Sequence, residues 1–179
     1  MNDTNGKTRT SPELPEVVPG FENFGHVGLH GARNTRDLGG LPTTNGRTVA
    51  HGRLIRSGDL HKCTDEDIEL LRDGHGLMRV VDFRTAKERG GAPDPQDRMP
   101  GIDFIDLPVF SEAAVGITHE GGIAGDIAAL KRFSGNAYET IRGLYVTCLL
   151  GEDGKRAYRE FFETLLSAEG GATLWHCTE

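Results

Sequence analysis

The segment that most constrains the fold is LMRVVDFRTAKE, residues 77–88. Its first part is a nearly continuous apolar run, which is typical of a strand buried on both faces. Its second part predicts a turn of helix, because Thr85 and Glu88 have the spacing of a capping box. A strand that leads into a helix places Asp82 and Arg84 at the carboxyl end of that strand, which is where open α/β sheets bind ligands.

The same alternation continues along the chain. A short helix is predicted to begin after Thr64, which can cap it, and a buried strand is predicted to end the sequence. The predicted elements after the first 60 residues are a helix over 64–74, strands over 77–84 and 103–109, helices over 138–149 and 158–166, and a strand over 172–176. This order indicates an α/β fold with a mostly parallel central sheet flanked by helices, and both long helical stripes are expected to pack on the sheet.

The chain is predicted to form one domain over residues 21–179, preceded by a flexible tail. Residues 1–20 are polar and rich in proline, without the apolar core of a signal peptide. Asn45-Gly46 predicts a hairpin turn. Residues 111–126 contain four glycines and are expected to form a long loop over the domain or a disordered segment.

Composition excludes several classes of function. The net charge is -7 and no long Lys/Arg block is present, which argues against general nucleic-acid binding. No apolar run approaches the roughly 20 residues of a membrane helix, so no membrane insertion is expected. Three cysteines without paired spacing suit a reducing, cytoplasmic location. The spacing of histidines and cysteines predicts no metal site.

The last predicted strand runs into His176 and Cys177, and this pair has two interpretations. A lone cysteine at a strand end is most often a buried structural thiol. Alternatively, Cys177 begins a loop between a strand and a helix, where inward-pointing backbone N–H groups bind a phosphate dianion and favour a nucleophilic thiolate. The spacing of the residues leaves both interpretations open.

Five blocks of sequence in one order bear on this choice. They are NTRDLGG at 34–40, GRLIRSGDL at 52–60, TDEDIELL at 64–71, VVDFRTAKER at 80–89 and HCTE at 176–179. Together they resemble the bacterial and fungal family of atypical protein-tyrosine phosphatases, whose signature begins HC-T-x-G-K-D-R. The resemblance implies a cysteine-phosphatase-like fold and hydrolysis of phosphomonoesters without a cofactor. Its expected partner is a phosphotyrosine-containing protein or a small phosphomonoester, and some members accept phosphoserine, phosphothreonine or phosphoinositides.

The resemblance also implies roles for individual residues. Cys177 would be the nucleophile that forms a cysteinyl-phosphate, and Asp82 would be the general acid. The residues expected to bind substrate are His176, Thr178, Arg84 and Arg56. Two alternatives remain open: Asp82 could instead cap the turn that begins near Thr85, and Arg84 could form a surface ion pair with Glu88.

The sequence departs from the family signature at its end. The Gly, Lys, Asp and Arg of the signature would come after Glu179, so we expect a chain truncated within the phosphate-binding loop, without the C-terminal helices and inactive by itself. The alternative function is a non-catalytic remnant or a module that binds a phosphorylated ligand. A rhodanese-like sulfurtransferase also places a cysteine after a strand, but the NTRDLGG block argues against it.

Overall fold

The structure is a computed structural model that describes residues 22–110 and 137–178. The predicted tail over 1–20 and the glycine-rich loop over 111–126 lie outside the described residues. The strands are β1 Arg36–Asp37, β2 Leu54–Ser57, β3 Leu77–Asp82, β4 Asp103–Asp106 and β5 Ala172–His176. The helices are α1 Asp65–Glu69, α2 Ala86–Gly91, α3 Ala137–Leu150 and α4 Glu152–Ser167. A π-helical turn over Leu70–Gly74 continues α1, and short 3-10 turns cover Glu22–Gly25 and Gln96–Arg98.

The five strands form one sheet in the order β1-β2-β5-β3-β4. β2, β5, β3 and β4 are parallel, whereas β1 pairs antiparallel with β2. The predicted α/β fold with a mostly parallel sheet is therefore confirmed. β5 is the last strand in the sequence but the central strand of the sheet, so neighbours hold its carboxyl end on both sides: His176 pairs with Ser57 of β2 and with Asp82 of β3.

Packing on the two faces of the sheet divides the core in two. α1 lies on one face of the sheet. The buried residues of the core on this face include Ile55, Leu60, Leu71, Leu77, Val80, Met99 and Leu174. α4 covers the other face. There Phe161 packs edge-on against Phe83, with ring centroids 5.3 Å apart, and lies 5.4 Å from Trp175. Because residues alternate between the faces, Trp175 and its neighbour Arg56 on β2 are directed to the α4 side.

The prediction that both helical stripes pack on the sheet is wrong for part of each helix. In α4, Phe162 is 58% exposed and Leu166 is 87% exposed, and in α3, Tyr145 is 65% exposed and Leu149 is 53% exposed. α3 packs along α4, and its Tyr145 and Leu149 are exposed to solvent. Within the described residues, no helix combines the length and the apolar character that crossing a membrane requires.

The start of α1 confirms the predicted cap and shows an additional role for Asp67. Thr64 Oγ1 accepts a hydrogen bond from the Asp67 N–H at 3.2 Å, and Asp67 Oδ2 accepts from the Thr64 N–H at 3.0 Å. The same carboxylate accepts from the N–H groups of His30 at 2.8 Å and Gly31 at 2.7 Å. Asp67 therefore joins α1 to the segment that precedes β1.

We expect Asp67→Asn to flatten the acid limb of the stability profile. Burial raises the pKa of Asp67, but the hydrogen bonds from Thr64, His30 and Gly31 outweigh it and lower the pKa below 3.8. A folded-state pKa below the unfolded one means that the carboxylate stabilises the fold above about pH 4, and that this stability is lost as the pH falls through the folded pKa. At pH 7 the variant should lose about 1–3 kcal/mol, because an amide has one acceptor oxygen for these donors.

Urea unfolding between about pH 3 and 7 measures this effect. The control is Asp103→Asn, which removes an exposed carboxylate from β4. If Asp67→Asn and the wild type lose stability in parallel on acidification, the proposed role of this carboxylate is wrong.

Candidate active site

The candidate site lies at the carboxyl edge of the parallel sheet. β2, β5 and β3 end there in register, at Ser57, His176 and Asp82, and the Phe83 N–H continues the ladder by donating to the His176 carbonyl at 3.0 Å. Cys177 follows immediately and is half-buried. Its backbone position is therefore fixed by the two strands that flank β5, as expected for a functional residue at the end of a central strand.

The side chain of Arg56 contacts the thiol of Cys177. Its Nη2 lies 3.3 Å from Cys177 Sγ, within hydrogen-bond reach of sulfur. Arg56 pairs with Trp175 in the register of β2 and β5, two residues before Cys177, and its long side chain extends along the strand to the edge. A guanidinium at this position brings positive charge and a planar set of donors beside the sulfur, an arrangement that suits binding of an oxyanion.

Asp82 and Arg84, both predicted site residues, form a buried ion pair. The Nε of Arg84 lies 3.0 Å from both oxygens of Asp82, and its Nη2 lies 2.8 Å from Oδ2. The side chains are 1% exposed for Arg84 and 3% for Asp82. Burial lowers the pKa of Arg84, but the hydrogen bond and charge of Asp82 and the charge of Asp94 outweigh it and raise the pKa, so the guanidinium stays charged.

The structure bears differently on the alternative roles of Arg84 and of Asp82. The predicted surface ion pair of Arg84 with Glu88 is wrong, because Arg84 is bound to Asp82 and Asp94 in the interior. Asp82 Oδ1 accepts from the Arg84 backbone N–H at 2.8 Å, a turn-forming contact just before α2. This geometry favours the structural alternative for Asp82, whose role as a general acid stays a prediction.

Asp94 is a member of this cluster that sequence reasoning missed. Its Oδ1 lies 2.9 Å from Arg84 Nη2, and its Oδ2 lies 3.1 Å from His176 Nε2. We call Asp82, Arg84, Asp94 and His176 the buried charge cluster. Asp94 lies between two prolines, in a stretch with no recognisable motif, so its partners could be found only from the folded chain.

The buried charge cluster contains three side chains that could in principle hold a metal ion. Ligand atoms of Asp82, Asp94 and His176 all lie within 4.8 Å of one another. However, the guanidinium of Arg84 donates to both carboxylates and supplies the positive charge that a cation would bring. These three side chains therefore do not form an open set of donors, and the absence of a metal requirement stays a prediction.

His176 and Thr178, on either side of Cys177, have partners in the protein. The His176 side chain is fully buried, and its Nδ1 lies 3.2 Å from the Cys177 carbonyl oxygen. Thr178 Oγ1 donates to Glu88 Oε1 at 2.7 Å, while Glu88 Oε2 accepts from Thr85 N and Oγ1 at 2.9 Å each. The predicted capping box of α2 is thus confirmed, and it also ties the residue after Cys177 to the start of this helix.

The other two thiols have different surroundings. Cys63 belongs to the core, where burial raises its pKa to about 12. Burial also raises the pKa of Cys148, whose Sγ lies 3.6 Å from the hydroxyl of Tyr158. Cys63 precedes α1 and Cys148 lies within α3, so neither follows the end of a strand, and both are held neutral at physiological pH. Cys177 is therefore the cysteine best placed for nucleophilic chemistry.

Comparisons with known proteins agree with this geometry. Residues 27–179 match the model of a family described as "Tyrosine phosphatase family". A curated protein of Cupriavidus necator, named "Putative tyrosine-protein phosphatase", is 34% identical over 149 residues, which cover 81% of this chain and 48% of that protein. The chain therefore spans about half the length of the curated relative that it matches.

Proposed function

We propose, since the chain belongs to the tyrosine phosphatase family, that it carries the nucleophile of a cysteine-dependent protein-tyrosine phosphatase. The observation that carries this proposal is the position of Cys177. It lies at the carboxyl end of the central strand, with the guanidinium of Arg56 3.3 Å from its sulfur. Family membership does not favour the alternative of a non-catalytic remnant or binding module.

The proposed reaction has two steps. The thiolate of Cys177 attacks the phosphorus atom, an S–P bond forms, and the P–O bond to the leaving group breaks as that oxygen takes up a proton from the predicted general acid Asp82 or from water. Water then attacks the phosphorus of the cysteinyl-phosphate, the S–P bond breaks, and inorganic phosphate leaves with the thiolate regenerated. Charge in both transition states is spread over three equatorial oxygens, which must be met by preorganised donors.

The positions of the site residues suggest a different role in this reaction for each of them. Arg56 is proposed to bind the phosphoryl oxygens, and Thr178 to hold the start of the phosphate-binding loop against α2. His176 and Arg84 were predicted to bind substrate, but their side chains are 0% and 1% exposed and belong to the buried charge cluster. We propose that these two side chains support Cys177 from the protein interior and do not contact the substrate. Activity on phosphoserine, phosphothreonine or phosphoinositides, and a cytoplasmic location, stay predictions.

Arg56→Lys tests the anion-binding role in a polypeptide that contains the complete family signature, here called the full-length protein. Lysine keeps the charge but lacks the planar fork of donors, so kcat/KM for an aryl phosphate should fall by about 10²–10³-fold, the usual cost of losing a preorganised donor. The matched control is Arg53→Lys, which changes an arginine that reaches the Ala168 carbonyl at the opposite end of the sheet. Equal kcat/KM values for wild type and Arg56→Lys would contradict the role.

The inactivity of residues 1–179 alone is a second prediction. This polypeptide supplies Cys177, Thr178 and Glu179 to the loop, together with Arg56, but not the Gly, Lys, Asp and Arg of the family signature. Since each missing donor costs about 10²–10³-fold, we expect no measurable hydrolysis. The assay uses an aryl phosphate and peptides with phosphotyrosine or phosphoserine, with a soluble phosphoinositide beside them. Turnover by this polypeptide that requires Cys177 would show that an arginine within residues 1–179, such as Arg84 or Arg56, replaces the arginine of the signature.

A further inference from the structure

We propose that Asp94 is a positioning residue for Cys177, acting through His176. The inference rests on the proposed function, because it concerns the placement of the proposed nucleophile. Asp94 precedes Cys177 by more than 80 residues and lies in the segment that follows α2. It is neither in β5, which Cys177 follows, nor in the strands beside β5, so its contact with the site is made entirely by the folded chain.

Burial determines how Asp94 can act. Its side chain is 3% exposed, so a bound substrate would not touch it. Each of its oxygens has a separate donor: Oδ1 faces Arg84 Nη2 at 2.9 Å, and Oδ2 faces His176 Nε2 at 3.1 Å. Any effect of Asp94 on catalysis must therefore pass through one of these two side chains, and His176 is the one bonded directly to Cys177 in the chain.

His176 connects the carboxylate to the nucleophile. A carboxylate accepts hydrogen bonds and cannot donate them, so the contact with Asp94 Oδ2 places a proton on His176 Nε2. The other ring nitrogen, Nδ1, lies 3.2 Å from the carbonyl oxygen of Cys177. The imidazole thus contacts the backbone carbonyl of Cys177, and the Asp94 contact fixes the orientation of this ring.

Arg84 holds Asp94 in place. Besides its bonds to Asp82 and Asp94, its Nη1 donates to the Ala92 carbonyl at 2.8 Å, two residues before Asp94. The guanidinium therefore fixes both the side chain and the backbone of this segment against the end of β3. Asp82 Oδ1 lies 4.0 Å from His176 Nε2, farther than Asp94, so Asp94 is the principal acceptor for the histidine.

Asp94→Asn tests the proposal because it keeps the shape of the side chain and reverses the direction of the hydrogen bond with His176. Arginine can only donate, so the amide oxygen must face Arg84 and the amide NH₂ must face His176 Nε2. The nitrogen NMR signals of His176 in the wild type should show a proton on Nε2, and in the variant they should show Nε2 without one. The matched control is Asp97→Asn, the same change at an exposed position three residues later, which should leave the His176 signals unchanged.

The kinetic consequence is measured in the full-length protein with an aryl phosphate. Asp94→Asn should lower kcat by about 10²-fold, the effect of a displacement of roughly 1 Å near a reacting group, with KM little changed because Asp94 does not contact substrate. The rate at which iodoacetamide alkylates Cys177, followed by mass spectrometry, should also differ from wild type. Asp97→Asn should match the wild type in kcat, in KM and in the alkylation rate of Cys177.

Either of two outcomes would overturn the proposal. They are a wild-type His176 without a proton on Nε2, or an Asp94→Asn variant with wild-type kcat and alkylation rate. The spectrum of the wild type decides the first point even if the variant does not fold. If the wild type shows no phosphatase turnover, the proposed function fails, but the alkylation rates still decide whether Asp94 positions Cys177.

Discussion

Cys177→Ser should abolish phosphatase turnover in the full-length protein, with a loss in kcat of about 10⁴-fold or more. A serine hydroxyl is a far weaker nucleophile than a thiolate, and the Arg56 guanidinium at 3.3 Å from the sulfur cannot compensate for that difference. Cys177 is half-buried and follows the end of β5, so the substitution should leave the fold intact. Steady-state hydrolysis of an aryl phosphate, with thermal unfolding measured on the same samples, gives both quantities.

Cys148→Ser is the matched control. Cys148 is also half-buried, and a serine there can keep the contact with the Tyr158 hydroxyl. Its kcat should stay within a few-fold of wild type, because this thiol lies in α3 and burial raises its pKa, which keeps it neutral. Undiminished turnover in Cys177→Ser, or an equal loss in both variants, would remove the basis for calling Cys177 the nucleophile.

Arg84→Met should be the most damaging change to stability among those considered. It removes the cation from between Asp82 and Asp94, whose carboxylates are each 3% exposed. Breaking a buried ion pair by removing one partner typically costs about 3–5 kcal/mol, since the remaining charge stays buried without compensation. Urea unfolding at neutral pH should show this loss of stability.

Arg72→Met provides the comparison on the protein surface. Arg72 also forms a close ion pair, 2.6 Å from Asp73, but both side chains are exposed to solvent. Its replacement should change the free energy of unfolding far less, because water solvates the charge that remains. A loss of kcat/KM without a loss of stability in Arg84→Met would instead support the prediction that Arg84 binds substrate directly.

Local signals in the sequence were sufficient for the caps and for the alternation of strands and helices. Thr64 and Thr85 each have their capping partner three residues away, so short-range hydrogen bonds determine where α1 and α2 begin. The apolar run before Asp82 similarly predicts a strand buried on both faces. What could not be predicted is the strand order, because the central position of β5 depends on pairing with two strands that lie far from it in the sequence.

In the candidate site, too, single residues could be predicted from the sequence, but their contacts with distant residues could not. Cys177, Asp82, Arg84 and Arg56 were singled out on a resemblance to known sequences, but nothing in the chain indicated that Arg56 would lie against a sulfur 121 residues away. Burial of Arg84 was equally hidden, since its partner Asp94 has no motif of its own. The outward position of Leu166 and Phe162 follows from how much of α4 the sheet can cover, which periodicity alone does not reveal.

The most direct test of the account is to trap the covalent intermediate. The full-length protein is mixed with an excess of a phosphotyrosine peptide and quenched in acid within the first turnover, and its peptides are examined by mass spectrometry. The account predicts phosphate on Cys177, which appears before inorganic phosphate and disappears as the substrate is consumed. Turnover accompanied by phosphate on another residue, or by no phosphorylated residue at any time, would contradict the account.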